Sequence, residues 1–452
     1  MPEVNSPVGI SDIGVYVPQP SISLETLVQR RVSLNPRLDR HFERACRVTG
    51  QKAIRFPEIW EDCATLAASA ARTLLERSPR PDLKTVRHLA VGTETGVDHS
   101  KPVSAYVHGM LQRAGIQLPA SLSSFQVQHA CAGGTMALLS VASLLSAGGR
   151  PSDCGIVVSA DVARYETDST AEITQGAGAV ALLVQTAPRL LELEIATAGF
   201  ASADVDDFFR PLGSITARVN GTYSMRCYEE GLEAAFLDHC ARSGLRPEQA
   251  LRDTDYFVLH TPFRNMPQVA MEKLFEKVLG YDSARTRALL AEKSFDAAVD
   301  PLARIGNLYA GSLTAALAFL LDERYRALGP GIVGKSILLA SYGSGSTMIV
   351  VRARVAESAP AVIARWKLAD VFASARPATF EEYEAWTAGP VQPELHARLM
   401  ENAVVPPGTF QLSGIRKDGY REYQFRAAPR LSDRGEERET PDDMHGSVAL
   451  PG

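Results

Sequence analysis

Short apolar segments alternate with longer segments of helical periodicity along most of this chain. The short runs that predict strands are 10–16, 89–93, 124–128, 155–160, 256–259 and 336–341. Helical spacing or a long uncharged run predicts helices over 59–75, 136–145 and 313–321. Since strands that are apolar throughout must be covered on both faces, the pattern predicts an α/β protein with a mostly parallel sheet.

Polar side chains follow several of these strands directly. Glu94, Asp161 and His260 each come after a predicted strand, and Cys131 lies between a strand and an apolar helix. Open α/β sheets place their sites at the carboxyl ends of strands. A thiol at the start of a helix can point at free backbone N–H groups, which would stabilise a thiolate. The alternative is a small buried cysteine, and the local sequence leaves both open.

Composition narrows the possible partners. The 452 residues carry a formal net charge of -5, with a pI near 6.0, which argues against nucleic acid or an anionic membrane. Six scattered cysteines without CxxC spacing predict neither a disulfide framework nor a metal site. No signal peptide is evident, and no apolar run approaches a membrane span, so we expect a cytoplasmic protein. The charged segment 427–452 lacks aromatic residues and is predicted to be disordered.

Each candidate residue also has an ordinary structural interpretation. Glu94 is either a general acid/base with a raised pKa or a capping carboxylate. His260 is either a catalyst or a satisfied core histidine, and Asn307 is either a substrate donor or a turn residue. A thiol nucleophile with a nearby base favours acyl transfer through a thioester. The ordered set is more informative than any member alone.

Eight stretches together carry a family resemblance. In chain order they are VGTETGVDHSKP, HACAGGTMALL, SADVARYETDS, TQGAGAVALLV, DVDDFFRP, VLHTPFRNM, GNLYAGSLTAALAFLLD and SYGSGS. They resemble the 3-hydroxy-3-methylglutaryl-CoA synthase family of the thiolase superfamily. The resemblance implies a thiolase-like five-layer αβαβα fold of two βαβαβαββ halves, here 1–200 and 201–426, in a homodimer.

The resemblance also implies roles for residues. Cys131 would take an acyl group from a donor thioester, and Glu94 would remove a proton from that group. His260 would anchor and polarise the acceptor. The residues implied to support or contact substrate are Asn307, Asp161, Tyr165, Thr174, Asp207, Tyr342, Ser344 and Ala132. No metal or redox cofactor is expected, because the substrates are acyl-CoA or acyl-phosphopantetheine thioesters.

Two departures from the family bear on the substrate. Ala132 stands where the family usually has tyrosine, which predicts a larger pocket that admits propionyl as well as acetyl. Residues 261–266, just after His260, contain no lysine, although CoA-using members usually carry one there, and Arg264 is the residue available to compensate. We therefore favour the branch that acts on acyl carrier proteins in polyketide β-alkylation.

Other interpretations stay open at this point. They are a mevalonate-pathway synthase that uses acetyl-CoA and acetoacetyl-CoA, a ketosynthase III-like condensing enzyme, and a non-catalytic homologue. A polar, helix-prone stretch carries basic residues that form either a solvated face or a contact for an acidic carrier. These residues are Arg30, Arg31, Arg37, Arg40 and Arg44.

Overall fold

The computed structural model describes residues 7–77, 81–388 and 392–428. Of the segment predicted to be disordered, all but 427 and 428 lies outside these residues. The strands are β1 (Val8–Tyr16), β2 (Pro20–Ser23), β3 (Ala53–Arg55), β4 (Val86–Gly92), β5 (Ser123–Val127), β6 (Cys154–Ala163), β7 (Gly176–Thr186), β8 (Leu191–Leu193), β9 (Gly199–Ser202), β10 (Phe208–Phe209), β11 (Arg218–Val219), β12 (Tyr256–Leu259), β13 (Ser336–Gly343), β14 (Thr347–Val355), β15 (Arg376–Pro377), β16 (Thr409–Ile415) and β17 (Arg421–Arg426).

The α-helices separate most of these strands. They are α1 (Leu24–Leu34), α2 (Asp39–Thr49), α3 (Cys63–Leu75), α4 (Val103–Arg113), α5 (Gly133–Gly148), α6 (Gly221–Ser243), α7 (Pro247–Asp253), α8 (Met266–Leu279), α9 (Ser283–Glu292), α10 (Asp296–Ala303), α11 (Ser312–Leu328), α12 (Ala359–Ile363), α13 (Ala369–Ala373), α14 (Phe380–Thr387) and α15 (Pro393–Glu401).

Ten strands form one mixed sheet in the order β12-β13-β14-β8-β1-β7-β6-β4-β5, with β9 also paired to β14. Within this ten-stranded sheet, as far as the structure describes it, the parallel pairs are β12/β13, β4/β5 and β4/β6, and the other pairs are antiparallel. The prediction of a mostly parallel sheet is therefore wrong. A helix between two strands allows them to run parallel, whereas β6 and β7, or β13 and β14, follow each other without an α-helix and pair antiparallel.

The strand order contains the same pattern twice. In β4-β6-β7-β1 the first pair is parallel and the next two are antiparallel. The series β12-β13-β14 followed by β8 and β9 repeats these directions. This repetition fits the expected two halves. The boundary at 200/201 stays a prediction. β8 lies before this boundary and β9 spans it, and both strands pair with β14 of the second half.

Two central helices lie between the halves. α5 contacts β4 and β6, whereas α11 contacts β12 and β13; α3 and α6 cover the outer faces. The expected αβαβα layering is confirmed by this arrangement. The stretch Ala130–Gly148 is long and apolar enough to cross a membrane by length and composition, contrary to our expectation, but 56% of it is buried inside the protein.

The ends of two elements shape the site. The helix predicted over 59–75 begins only at Cys63, because the Asp62 carboxylate caps it by accepting from Ala64 N and Thr65 N. The hairpin β16–β17 adds its apolar side chains to the core around α3 and α4. The last part of residues 201–426 therefore packs on the first half.

Candidate active site

Glu94 and Cys131 face each other between β4 and α5. The Cys131 Sγ lies 3.9 Å from Oε2 of Glu94. Glu94 is the second residue after the end of β4, and Cys131 follows Ala130, which has a left-handed backbone with φ of 39°. This turn brings the chain from β5 sharply into α5. A thiol and a carboxylate at this distance form a nucleophile and base pair.

Burial raises the pKa of both groups of this pair. Burial raises the pKa of Cys131 well above its ordinary value, and the Glu94 charge adds to that effect. Burial also raises the pKa of Glu94 to about 7, although Arg210 opposes the shift. The thiol is therefore protonated at neutral pH. Ala132 N and Gly133 N donate to backbone carbonyls and are not directed at Sγ, so these two N–H groups do not support the thiolate interpretation.

Arg210 is a site residue that the sequence reasoning missed. Its Nη2 lies 2.7 Å from Oε1 of Glu94, and its Nη1 donates to the Glu94 carbonyl oxygen at 2.7 Å. The guanidinium also lies over the Tyr309 ring. Arg210 thus holds one carboxylate oxygen and leaves the other facing Cys131. The DFFRP stretch could have indicated Arg210 as a site residue, since a lone arginine beside two aromatic residues is unusual on a solvated loop.

Asp161 is a positioning residue rather than a substrate contact. It lies inside β6, not after it, and is fully buried. Its Oδ1 accepts from the hydroxyl groups of Thr93 and Thr95 and from the N–H groups of Glu94 and Thr95. Its Oδ2 accepts from Ala310 N at 3.0 Å. One carboxylate therefore ties the Glu94 turn to the chain segment that enters α11.

Asp207 is likewise committed to protein contacts. It is fully buried, and its Oδ2 accepts from Tyr342 Oη at 2.8 Å and Ser224 Oγ at 2.9 Å. Its Oδ1 accepts from Gly345 N. Ser344 is half-buried in the same turn after β13. Asp207, Tyr342 and this turn fasten the loop that carries Arg210, so their predicted role as direct substrate contacts is not what the geometry favours.

His260 lies at the end of β12, the strand that corresponds to β4 in the repeated order. It is 2% exposed, and burial lowers the pKa of its ring to about 3. Its backbone is fixed by Ala340 O and by Tyr228 Oη, which donates to the His260 carbonyl. Nδ1 has no partner among the described residues. A neutral imidazole of this kind can donate to or accept from a bound thioester without adding a charge.

Asn307 and Tyr165 extend the site towards Cys131. Asn307 Oδ1 accepts from Tyr309 N and Ser312 Oγ, which leaves Nδ2 directed at Tyr165 Oη at 3.5 Å. Tyr165 packs in one cluster with Cys131 and Tyr309. The carbonyl of Thr174 accepts from Asn307 N, and its hydroxyl donates to Ala171 O. Thr174 therefore positions Asn307, whereas Asn307 and Tyr165 adjoin the nucleophile.

Ala132 faces the other half of the protein. It is fully buried, and its Cβ lies so close to the Gly343 backbone that a Cβ on Gly343 would come within 2.7 Å of it. It does not line the cavity beside Glu94. The geometry therefore gives no support to a pocket enlarged by Ala132, and tolerance of a propionyl donor stays a prediction.

A cavity of about 610 Å³ opens beside Glu94 and Arg210. Its walls come from the loop after β4, the loop 208–215, the start of α3, α15 and the hairpin β16–β17. His260 and Asn307 are not among its lining residues. Glu94 therefore faces this space, whereas Cys131, like His260, does not line it.

Known proteins match this chain in sequence. The family described as hydroxymethylglutaryl-coenzyme A synthase N terminal matches residues 5–188. A hydroxymethylglutaryl-CoA synthase from Enterococcus faecalis is 32% identical over 339 residues, which cover 75% of this chain and 80% of that protein. The polyketide biosynthesis 3-hydroxy-3-methylglutaryl-ACP synthase PksG from Bacillus subtilis is 28% identical over 310 residues, covering 65% and 69%.

A solved structure gives the same answer for the fold. MvaS in complex with 3-hydroxy-3-methylglutaryl coenzyme A superimposes with a TM-score of 0.80 at 32% identity, covering 93% of this chain and 99% of that one. The predicted thiolase-like fold is confirmed. The chain belongs to the hydroxymethylglutaryl-CoA synthase family and is a carbon–carbon bond-forming acyltransferase of that type.

Proposed function

We propose that this enzyme condenses an acyl group held on Cys131 with a β-ketoacyl thioester, and that both acyl groups are delivered by acyl carrier proteins for polyketide β-alkylation. The observation that carries the proposal is an exposed row of arginines on α2, directly beside the loop that follows His260. Acidic carriers are recognised by such basic surfaces.

The residues after His260 offer no free cation for CoA. Arg264, the candidate substitute for the missing lysine, donates to Asp300 at 2.8 Å and to Asp296 at 2.7 Å. Its Nη1 also donates to Asn265 and Gln268. A guanidinium neutralised by two carboxylates is a poor anchor for the phosphates of CoA. This commitment of Arg264 supports a carrier-bound substrate.

The α2 basic face consists of Arg37, just before α2, and of Arg40, Arg44 and Arg47 on the helix. All four are exposed, and none forms an ion pair within the part of the chain that the structure describes. The spacings of four and three residues place the last three on one side of α2, opposite its buried residues. Asn265 N donates to Thr49 O at 3.0 Å, so the end of α2 contacts the loop after His260.

Two of the five basic residues named from the sequence do not belong to this face. Arg30 pairs with Glu381. Arg31 is buried and pairs with Glu172 and Glu384. Exposed Leu34 lies at the end of α1, next to the α2 basic face in the chain. The predicted contact with the carrier therefore involves the α2 basic face and not Arg30 or Arg31.

The chemistry follows from the geometry of Glu94 and Cys131. Glu94 accepts the Cys131 proton as the thiol attacks the donor thioester, and then passes that proton to the departing carrier thiolate, which restores the Glu94 carboxylate. Glu94 then removes a proton from the α-carbon of the acyl group. The enolate attacks the β-keto carbon of the acceptor, and Glu94 returns the proton to the new alkoxide. Water hydrolyses the Cys131 thioester and leaves a carboxylate on the product.

Neutral donors assist these steps. His260 and the Asn307 amide can donate to the acceptor thioester oxygen, where negative charge would otherwise be exposed in a buried site. No residue of this scheme requires a metal or redox cofactor. A homodimer, a cytoplasmic location and tolerance of acetyl or propionyl donors belong to the same proposal.

Acylation of Cys131 by matched donors tests the carrier assignment. Intact-mass spectrometry compares acetyl on a small acidic carrier with acetyl-CoA, and we expect faster acylation by the carrier. The double change Arg40→Glu and Arg44→Glu should lower the carrier-to-CoA rate ratio about 10-fold or more. Arg113→Glu, an exposed arginine at the end of α4, is the matched control. Equal ratios in all variants, or faster acylation by acetyl-CoA, would support the CoA-using alternative.

A further inference from the structure

The cavity beside Glu94 is far larger than the reaction of a four-carbon acceptor needs. Its volume of about 610 Å³ lies within the range of pockets that hold drug-sized ligands, roughly 300–1,000 Å³. It extends from Glu94 to the start of α3 and to α15. In an acetoacetyl acceptor, only a methyl group lies beyond the keto carbon.

The far end of the cavity holds polar groups without a catalytic role. His396 on α15 is 1% exposed, and neither ring nitrogen has a hydrogen-bond partner among the described residues. Glu61 is also buried; it accepts from Tyr16 Oη and from Glu58 N. An unpartnered ring nitrogen at this depth is costly, and a hydroxyl or amide of a bound ligand can satisfy it.

The charges at this end select for a neutral partner. Arg421 is paired with Asp62 at 2.8 Å, so these two charges offset each other. Burial lowers the pKa of His396, which keeps the ring neutral, and burial raises the pKa of Glu61 to about 7. A hydroxyl or amide can exchange hydrogen bonds with His396 and Glu61, and neither of these groups offers a cation to an anion.

The position of Glu94 gives the direction of a bound acceptor. Glu94 returns a proton to the oxygen on the keto carbon, so that carbon must lie beside it. His260 and Asn307, which would hold the thioester end, lie outside the cavity lining, whereas Glu94 belongs to it. The chain beyond the keto carbon then has the cavity as its available space.

We infer that this cavity is the subsite for the distal chain of the acceptor, and that it takes an extended β-ketoacyl chain bearing a neutral hydroxyl or amide near His396 and Glu61. The inference rests on the proposed condensation and deepens it by naming the acceptor class. It does not depend on whether a carrier or CoA delivers the acceptor.

The test uses small pantetheine thioesters, which do not need a carrier surface. The full-length enzyme, acylated on Cys131, is mixed with acetoacetyl, 3-oxooctanoyl or 7-hydroxy-3-oxooctanoyl thioester, and condensation is followed by mass spectrometry. We expect the hydroxylated chain to give the highest kcat/KM. His396→Phe should lower the ratio of hydroxylated to acetoacetyl kcat/KM about 10-fold, the effect of one buried hydrogen bond.

Two further variants separate this role from a general loss of structure. Ile59→Trp narrows the cavity that Ile59 lines, and it should lower kcat/KM for both long acceptors relative to acetoacetyl. Leu395→Ala, exposed on α15 beside His396, is the matched control and should keep the wild-type ratio. A preference of the wild type for acetoacetyl, or ratios unaffected by both cavity variants, would overturn the subsite. Acylation without condensation of any acceptor would instead overturn the proposed function.

Discussion

Replacing Arg210 by glutamine removes the cation that faces the general base while keeping a side chain of similar reach. Two unit charges about 4 Å apart attract by about 4 kcal/mol at an effective dielectric near 20. In proteins, an opposite charge at such a distance lowers a carboxyl pKa by about 1–3 units. We therefore expect Arg210→Gln to raise the pKa of Glu94 from about 7 by that amount.

The sign of the pH effect follows from the role of the carboxylate. The base must be ionised to remove a proton, so condensation is lost as pH falls through the Glu94 pKa. A higher pKa moves this loss to higher pH. At pH 7 the ionised fraction falls from about one half to between about 10% and 0.1%, which lowers the rate about 5- to 500-fold.

The assay starts from enzyme already acylated on Cys131, so the thiol no longer titrates. Condensation after mixing with acceptor is measured from about pH 5.5 to about pH 9.5. Arg210→Lys keeps the charge and should shift the acid limb by less than about 1 unit. An acid limb of Arg210→Gln at the wild-type pH would refute a role for Arg210 in setting the ionisation of Glu94.

The remaining predictions concern the groups around this pair. Iodoacetamide alkylation of Cys131 should have its pH midpoint above the free-thiol value of about 8.5, and Glu94→Gln should lower that midpoint by removing a negative neighbour. Condensation should fall about 100- to 10,000-fold in Glu94→Ala, and an unchanged rate would exclude it as the base. Asp161→Asn should destabilise the protein by about 2–4 kcal/mol, visible as a lower melting temperature. Tyr342→Phe removes the hydrogen bond from Tyr342 Oη to Asp207, so backbone amide hydrogen exchange in residues 205–216 should become faster.

Much of the fold was readable from apolar periodicity, because buried strands and central helices have uniform patterns. The strand 256–259 and the core of α5 and α11 are placed correctly. The relative direction of paired strands could not be predicted from the sequence, since it depends on which strands become neighbours in the sheet and on whether a helix connects them. The start of α3 was misplaced because the capping role of Asp62 outweighs the apolar spacing that begins at Ile59.

The site was predicted unevenly for a physical reason. Residues that meet the reacting groups, such as Glu94 and Cys131, lie at strand ends and carry recognisable chemistry. Asp161 and Asp207 carry equally recognisable chemistry but use it on backbone N–H groups and hydroxyls, which only coordinates reveal. Arg210 comes from a distant loop, and its contact with Glu94 depends on how that loop closes.

The two left-handed turns have a consequence for recombining this protein with its relatives. Ala130 and Tyr309 each lie three residues before a central helix and have φ of 39° and 42°. Such conformations cost about 1–3 kcal/mol each and persist only when neighbours enforce them. Here neighbours come from the opposite half, since Asp161 accepts from Ala310 N beside Tyr309. The residues on either side of Ala130 lie against Gly343 of the second half. A chimaera that exchanges one half alone would inherit a nucleophile without the partner that keeps its turn in shape, so the halves must be exchanged as a matched pair.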